Sequence, residues 1–222
     1  EKKDPTIRYA AIKLLNKVRE KKDHLGFDKT LIREQIINEI DDYLKSMMIH
    51  MLHQSMVSRD ESNTENKDFL ALALKNILHE SLERIFRLLS LIYSPVDCAL
   101  IFEGLFDDNI YVRANALELF DELVDSRLKH KLLPILDGEM SIFGKGRAGY
   151  FTTKMKINSQ EALKKALYSK DRWLVLCAML IIVKHDINEL YDHIPRFENA
   201  ADPLLSESAA FLCSKIISIR KE

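Results

Sequence analysis

Gly144-Lys145-Gly146-Arg147-Ala148-Gly149 carries the spacing of a dinucleotide-binding fingerprint, in which glycines let backbone N–H groups close on a pyrophosphate. That chemistry needs a strand before the motif, a helix after it, and an acidic residue on a second strand. Helical patterns flank this stretch on both sides, so the spacing alone does not make a nucleotide site. A milder chemistry remains open to the same segment. Residues 138–157 hold Lys145, Arg147, Lys154 and Lys156 against one acid, Glu139, with Phe143, Tyr150 and Phe151 interleaved. Basic and aromatic side chains on a long loop suit a phosphate-bearing ligand or a protein partner, and the competing reading is a solvated insertion. The candidate contacts are Phe143, Lys145, Arg147, Tyr150, Phe151 and Lys154.

Thioether and imidazole groups at Met47, Met48, His50, Met51, His53 and Met56 are the ligand types that suit a soft ion such as Cu(I). On a helix they spread around much of the circumference, and methionine is a common core filler, so packing is the reading taken here. His50 and His53 have no cysteine or acid beside them in sequence. The seven histidines are scattered, and no nucleophile, base and orienting group converge in the sequence. No catalytic residue, cofactor or metal is therefore expected. Trp173 stands where a helical array would bury part of a large ring or turn it toward a concave face.

The elements that must position these groups read as helices. The 222 residues are 47% hydrophobic and 30% charged, which is a globular balance. Six glycines and five prolines leave long uninterrupted segments, and four of the glycines fall between Gly138 and Gly149. A net charge of −1 excludes the bulk attraction of a basic nucleic-acid domain, although residues 1–33 carry a local balance of +5. Cys98, Cys177 and Cys213 lie within apolar helical patterns and read as buried free thiols. No signal peptide is visible, and a start at Glu1 inside a helical pattern gives the expectation of a piece of a longer, cytoplasmic polypeptide.

Asp4 followed by Pro5 starts a helix whose face is Ile7, Ala11, Leu14, Leu15 and Val18. A long helix follows from Asp28 through Ile32, Ile36, Ile40, Tyr43, Met47 and Met51. Residues 58–68 read as an exposed loop, and the next helix runs from about Phe69 to Tyr93, burying Leu72, Ile77, Leu82, Ile85, Phe86 and Leu89. Its charged residues exclude a bilayer crossing. Ser94-Pro95 opens a helix to about Phe106, Asn109 opens its partner, and Ser126–Leu136 is a short helix. Residues 137–157 form the Gly-rich inserted loop. Helices beginning near Ser159, at Asp171, at Asn188 and at Asp202 complete the chain.

Four segments share one spacing: Asp or Asn, an apolar residue three later, and Ala seven later. They are Asp4 to Ala11, Asn109 to Ala116, Asp171 to Ala178 and Asp202 to Ala209, with Arg8 and Arg113 at the fourth step of the first two. The acid or amide caps a helix, and the alanine lets a partner helix approach closely. Asp171 and Asp202 are 31 residues apart, and Asn109 and Asp171 are 62 apart, as if one helix of a repeat had given way to the loop.

This Asp-apolar-Arg…Ala pattern resembles HEAT repeats of the short variety found in phycobilisome-lyase-type proteins. The chain departs from it at Val175 and Ser206, where Arg would stand. Leu82-Glu83-Arg84-Ile85-Phe86-Arg87-Leu88-Leu89 with Ile92-Tyr93-Ser94-Pro95, together with Arg113–Asp121 and Asp171–Leu174, is similar to the HEAT extension of bacterial ADP/ATP-translocase-like membrane proteins. The resemblance implies a single all-α domain over residues 1–222, an α-α superhelix of about five hairpins on the cytosolic side of a nucleotide-transporter-like protein. It implies a non-enzymatic scaffold that binds a protein or another part of its own chain, and no nucleic acid. The alternative is a HEAT-like DNA-binding module or alkylpurine DNA glycosylase-like enzyme.

Overall fold

The computed structural model describes residues 5–22, 26–57, 68–142 and 159–220, and among them every regular element is helical. In chain order these are α1 (Pro5–Lys21), α2 (Lys29–Val57), α3 (Phe69–Leu89), α4 (Pro95–Leu105), α5 (Ile110–Leu123), α6 (Ser126–Ile142), α7 (Ser159–Leu167), α8 (Arg172–Lys184), two 3₁₀ segments (Asn188–His193 and Pro195–Phe197), and α9 (Pro203–Ile219). No described helix is long and apolar enough to cross a membrane. The residues group into two compact units, Glu1–Tyr43 with Glu80–Lys156, and Leu44–His79 with Ile157–Glu222. Both α2 and α3 contribute residues to each unit.

Helix starts are set by side chains that accept from free N–H groups of the first turn. Ser94 accepts from Asp97 N, Asn109 from Tyr111 N, Asp171 from Trp173 N and Leu174 N, and Asp202 from Leu204 N. Asp28, Asp68 and Asp125 do the same for α2, α3 and α6. Asp4 lies outside the described residues.

In the first unit, Ile36, Ile40, Tyr43, Leu82, Ile85 and Phe120 are fully buried or nearly so. Phe86 packs at 5.3 Å from Phe102 and 6.2 Å from Phe120, ring centre to ring centre. In the second, Leu163, Ala166, Leu174, Ala178, Ile182, Ala209, Leu212 and Ile216 form a core shared by α7, α8 and α9.

The structure differs from four expectations. The face of α1 expected to point inward is exposed: Ile7, Leu14, Leu15 and Val18 stand open, as does Ala11, while Ile12 and Asn16 are the buried residues. Polar bonds from Tyr9 and Asn16 hold that inward side. On α3, Leu72 is exposed and Leu74 and Leu78 are buried instead; the run Phe69-Leu70-Ala71-Leu72-Ala73-Leu74 offers leucine on every side, so periodicity cannot choose a face there. Helix α6 continues to Ile142 through Pro134, so residues 137–142 are helical rather than loop. Burial of Leu132, Ile135 and Leu136 around the proline offsets its missing hydrogen bond. The segment Asn188–Phe197 is two 3₁₀ turns rather than an α-helix, since Pro195 has no N–H to give back and Asp186, at φ 51°, has already turned the chain at the end of α8.

Candidate functional site

Helix α1 turns its polar side inward, and that side lines a groove of about 360 Å³ with the C-terminal half of α3 and with α4, all within the first unit. The floor is aromatic, from Phe86 and Phe102, with the buried thiol of Cys98 beside them. Asn16 and Arg19 enter from α1, three residues apart and so on one face of the helix. Glu20 and Glu103 are exposed at its edge. The volume lies within the ordinary range of small-molecule sites, about 300–1,000 Å³.

A polar network fixes the wall. The hydroxyl of Tyr9 donates to Glu83 Oε2, and Arg87 donates from Nε to Glu83 Oε1 at 2.8 Å, with Nη2 at 2.7 Å from the same oxygen. Burial pushes the Glu83 carboxyl up, but the bonds from Tyr9 and Arg87 and the nearby charge of Lys13 more than offset it and hold it below the usual range. For Arg87, burial acts against the charge and Glu83 prevails, so its pKa is raised. Lys13 lies 4.0 Å above the Tyr9 ring.

Asn16 is 8% exposed. Its Nδ2 donates to the carbonyl of Arg87 at 2.9 Å and to Ser90 Oγ at 2.9 Å, and Ser90 in turn donates to that carbonyl at 2.8 Å. These contacts fix the amide, because a flipped Asn16 would face oxygen to oxygen. Its Oδ1 is left buried without a hydrogen-bond partner, and so is Nη1 of Arg19. Both atoms are closed to solvent, on residues that line the groove. Burial pushes the Cys98 thiol to about 12, so it is a packing group rather than a nucleophile.

The second unit holds a separate polar cluster. His53, fully buried on α2, places Nε2 2.7 Å from Asp68 Oδ2 and Nδ1 3.2 Å from His185 Nε2. Lys184 is 3.7 Å from Asp68. Burial raises the Asp68 pKa, but the Ala71 N–H, His53 and Lys184 more than offset it, so the net shift is downward. For His53, burial prevails over Asp68 and lowers its pKa. His50, one turn earlier, is fully buried with both ring nitrogens unpartnered, and burial lowers it to about 4. The absence of an acid near His53 in sequence is thus overturned in space: Asp68 comes from the start of the next helix. Among the described residues no group of three or more His, Cys, Asp or Glu has metal-site geometry.

Of the sequence-derived candidates, Phe143, Lys145, Arg147, Tyr150, Phe151 and Lys154 lie outside the described residues, as do loop residues 58–67. Arg8 pairs with Glu39 at 3.0 Å and Asp42 at 3.7 Å, and Arg113 donates to the backbone carbonyl of Asp107. Ala116, Ala178 and Ala209 are buried; Ala11 is exposed, so it makes no close helix contact. Arg172 joins Asp202 at 3.4 Å, and Trp173 is half-exposed with the Arg172 guanidinium 5.5 Å from its ring centre. The groove residues Asn16 and Arg19 were missed. The available signal was Asn16, the single amide side chain on the first helix.

No protein-family model, curated protein or solved structure matches this chain.

Proposed function

We propose that this chain is a non-catalytic interaction domain, a HEAT-like α-solenoid whose first helix docks an amphipathic, acid-flanked helix of a protein partner or of its own parent chain. The observation that carries this reading is the reversed polarity of α1. Ile7 (57% exposed), Ala11, Leu14 (64%) and Val18 (37%) form a stripe at steps of four, three and four residues, on the side turned away from Asn16. A helix that buries its polar side and presents its apolar side gains by having that side covered.

Charge selects the occupant. Lys17 and Lys21, both exposed, flank the stripe, while the other basic residues of α1 turn toward Glu39, Glu83 and the groove. An incoming helix with a leucine-rich face and flanking carboxylates would bury the stripe and neutralise its basic edges. On the resemblance read from Leu82–Leu89, Ile92–Pro95 and Arg113–Asp121, that partner would lie at the cytosolic face of a nucleotide-transporter-like membrane protein.

The test is fluorescence anisotropy with a labelled synthetic helix bearing a leucine face and glutamate flanks. The parent domain should bind it in a salt-sensitive way, a lysine-flanked counterpart should not bind, and Leu14→Glu should weaken binding tenfold or more. Equal binding of both peptides would overturn the reading. So would preferential binding to phosphatidylserine vesicles or salt-sensitive binding of duplex DNA, each of which assigns the basic helix another partner.

A further inference from the structure

His53, Asp68 and His185 bring α2, the start of α3 and the end of α8 to one point of the second unit. The Asp68 carboxylate accepts at Oδ2 from His53 Nε2 at 2.7 Å. In the uncharged His53 ring, donation from Nε2 leaves a lone pair at Nδ1, so the hydrogen in the 3.2 Å gap to His185 Nε2 comes from His185. The two rings meet edge to face, 5.4 Å between centres and 62° between planes. The other oxygen of Asp68 is committed too, accepting from the Leu70 and Ala71 amides at 3.2 Å.

The gap between the two rings holds one hydrogen. One added proton keeps that count. Taken by His185, which is half-buried and ends α8 where the helix carbonyls favour a cation, it leaves His53 neutral between an imidazolium and Asp68. Two added protons do not fit. An imidazolium carries hydrogen on both nitrogens, so two charged rings would point N–H against N–H across 3.2 Å. The remaining charges give no relief. Lys184 from α8 and Lys75 from α3 add positive charge, and burial keeps His50, one turn before His53, neutral. Asp186, next after His185, is taken by the Tyr191 hydroxyl at 2.7 Å.

We propose that His53 and His185 form an acid-released latch, which holds the end of α8 against α2 while at most one of the two rings is charged and lets it go when both are. His53 is fully buried and keeps Asp68, now as a charge-assisted bond, so His185 is the ring that leaves for water. The backbone around it is a helix end. The His185 amide donates to the Ile181 carbonyl at 3.0 Å and the Ile187 amide to the Ile182 carbonyl at 2.9 Å, with Asp186 at φ 51° between them. Terminal bonds of this kind open when the side chain that anchors them departs. The start of α3 stays in place, because Asp68 keeps both His53 and the Leu70 and Ala71 amides.

Amide hydrogen exchange of the whole chain at about pH 7 and about pH 4.5, corrected for intrinsic rates, tests the latch. The His185 and Ile187 amides should lose protection tenfold or more at the lower pH, beyond any loss at Leu212 and Ile216 of the same unit. His185→Gln, at a half-buried position, offers His53 an uncharged amide, and there acid should bring no extra loss at the end of α8. Imidazole nitrogen NMR of the parent requires no variant to fold. Near neutral pH it should find the His53 hydrogen on Nε2, with Nδ1 accepting from His185. The latch is overturned if protection at the end of α8 is the same at both pH values, or if the loss is uniform through the second unit. It is also overturned if His185→Gln retains the extra loss, or if the His53 hydrogen is on Nδ1.

Discussion

Gly104 on α4 lies against Ala116 on α5 so closely that a Cβ added to the glycine would sit 2.8 Å from the Cβ of Ala116. Both residues are buried, and the Val112 carbonyl is 3.6 Å from the same point. The alanine seven residues after Asn109 thus has a specific partner. It is small because a helix passes over it at a residue with no side chain at all.

Replacing Gly104 by alanine sets two effects against each other. Alanine improves helix propensity by about 1 kcal/mol, while overpacking a tight contact costs ~1–3 kcal/mol. Contact at 2.8 Å with another helix's Cβ decides for the second, so Gly104→Ala should lower the melting temperature. Ala116→Phe should lower it further. The exchange Gly104→Ala with Ala116→Gly restores the clearance, so its loss should be about 1 kcal/mol smaller than the sum of the two single losses. Additive losses in urea unfolding would remove the close-contact argument.

A second test concerns charge in the core of the first unit. Glu39 is 3% and Arg84 5% exposed, joined at 2.9 Å, and Glu39 also takes Arg8 at 3.0 Å. Removing one member of a buried pair strands the other, at a cost of about 3–5 kcal/mol. Glu39→Leu should therefore destabilise strongly by leaving Arg84 uncompensated. Arg8→Gln, at the solvent edge of the same carboxylate, should cost about 1 kcal/mol or less. Chemical denaturation of the two variants checks the order, and equal losses would contradict it.

The residues that were legible in the sequence were those whose partners lie within a turn. Ser94, Asn109, Asp171 and Asp202 cap the helices they precede, because capping needs only the local N–H groups. Helix α1 shows what locality cannot give. Its apolar stripe was visible, but a periodic pattern does not say which side the rest of the chain will cover, and Tyr9 and Asn16 find their partners at Glu83, Arg87 and Ser90, more than seventy residues away. The groove assembled from α1, α3 and α4 was hidden for the same reason. So was the contact of His53 with Asp68 and His185, which joins α2, the start of α3 and the end of α8.

The last prediction follows from His50. Its pKa is lowered to about 4 by burial first, then by Lys75 and His53, with Asp68 acting weakly in the opposite direction. Because the unfolded imidazole titrates near 6.5, the unfolded chain takes up a proton between about pH 6.5 and 4 that the folded chain refuses. Folding stability is unaffected by this group above that window and falls as pH drops through it, by on the order of 3 kcal/mol at the lower end. The lowered pKa of His53 adds to the same trend. In His50→Leu the acid-induced penalty at this position is gone and two unpartnered ring nitrogens are removed from the core. Urea unfolding at about pH 7 and about pH 5 should show the variant gaining on the parent as the pH falls. A difference that stays constant between the two conditions would mean that the folded chain takes up the His50 proton over the same pH range as the unfolded one.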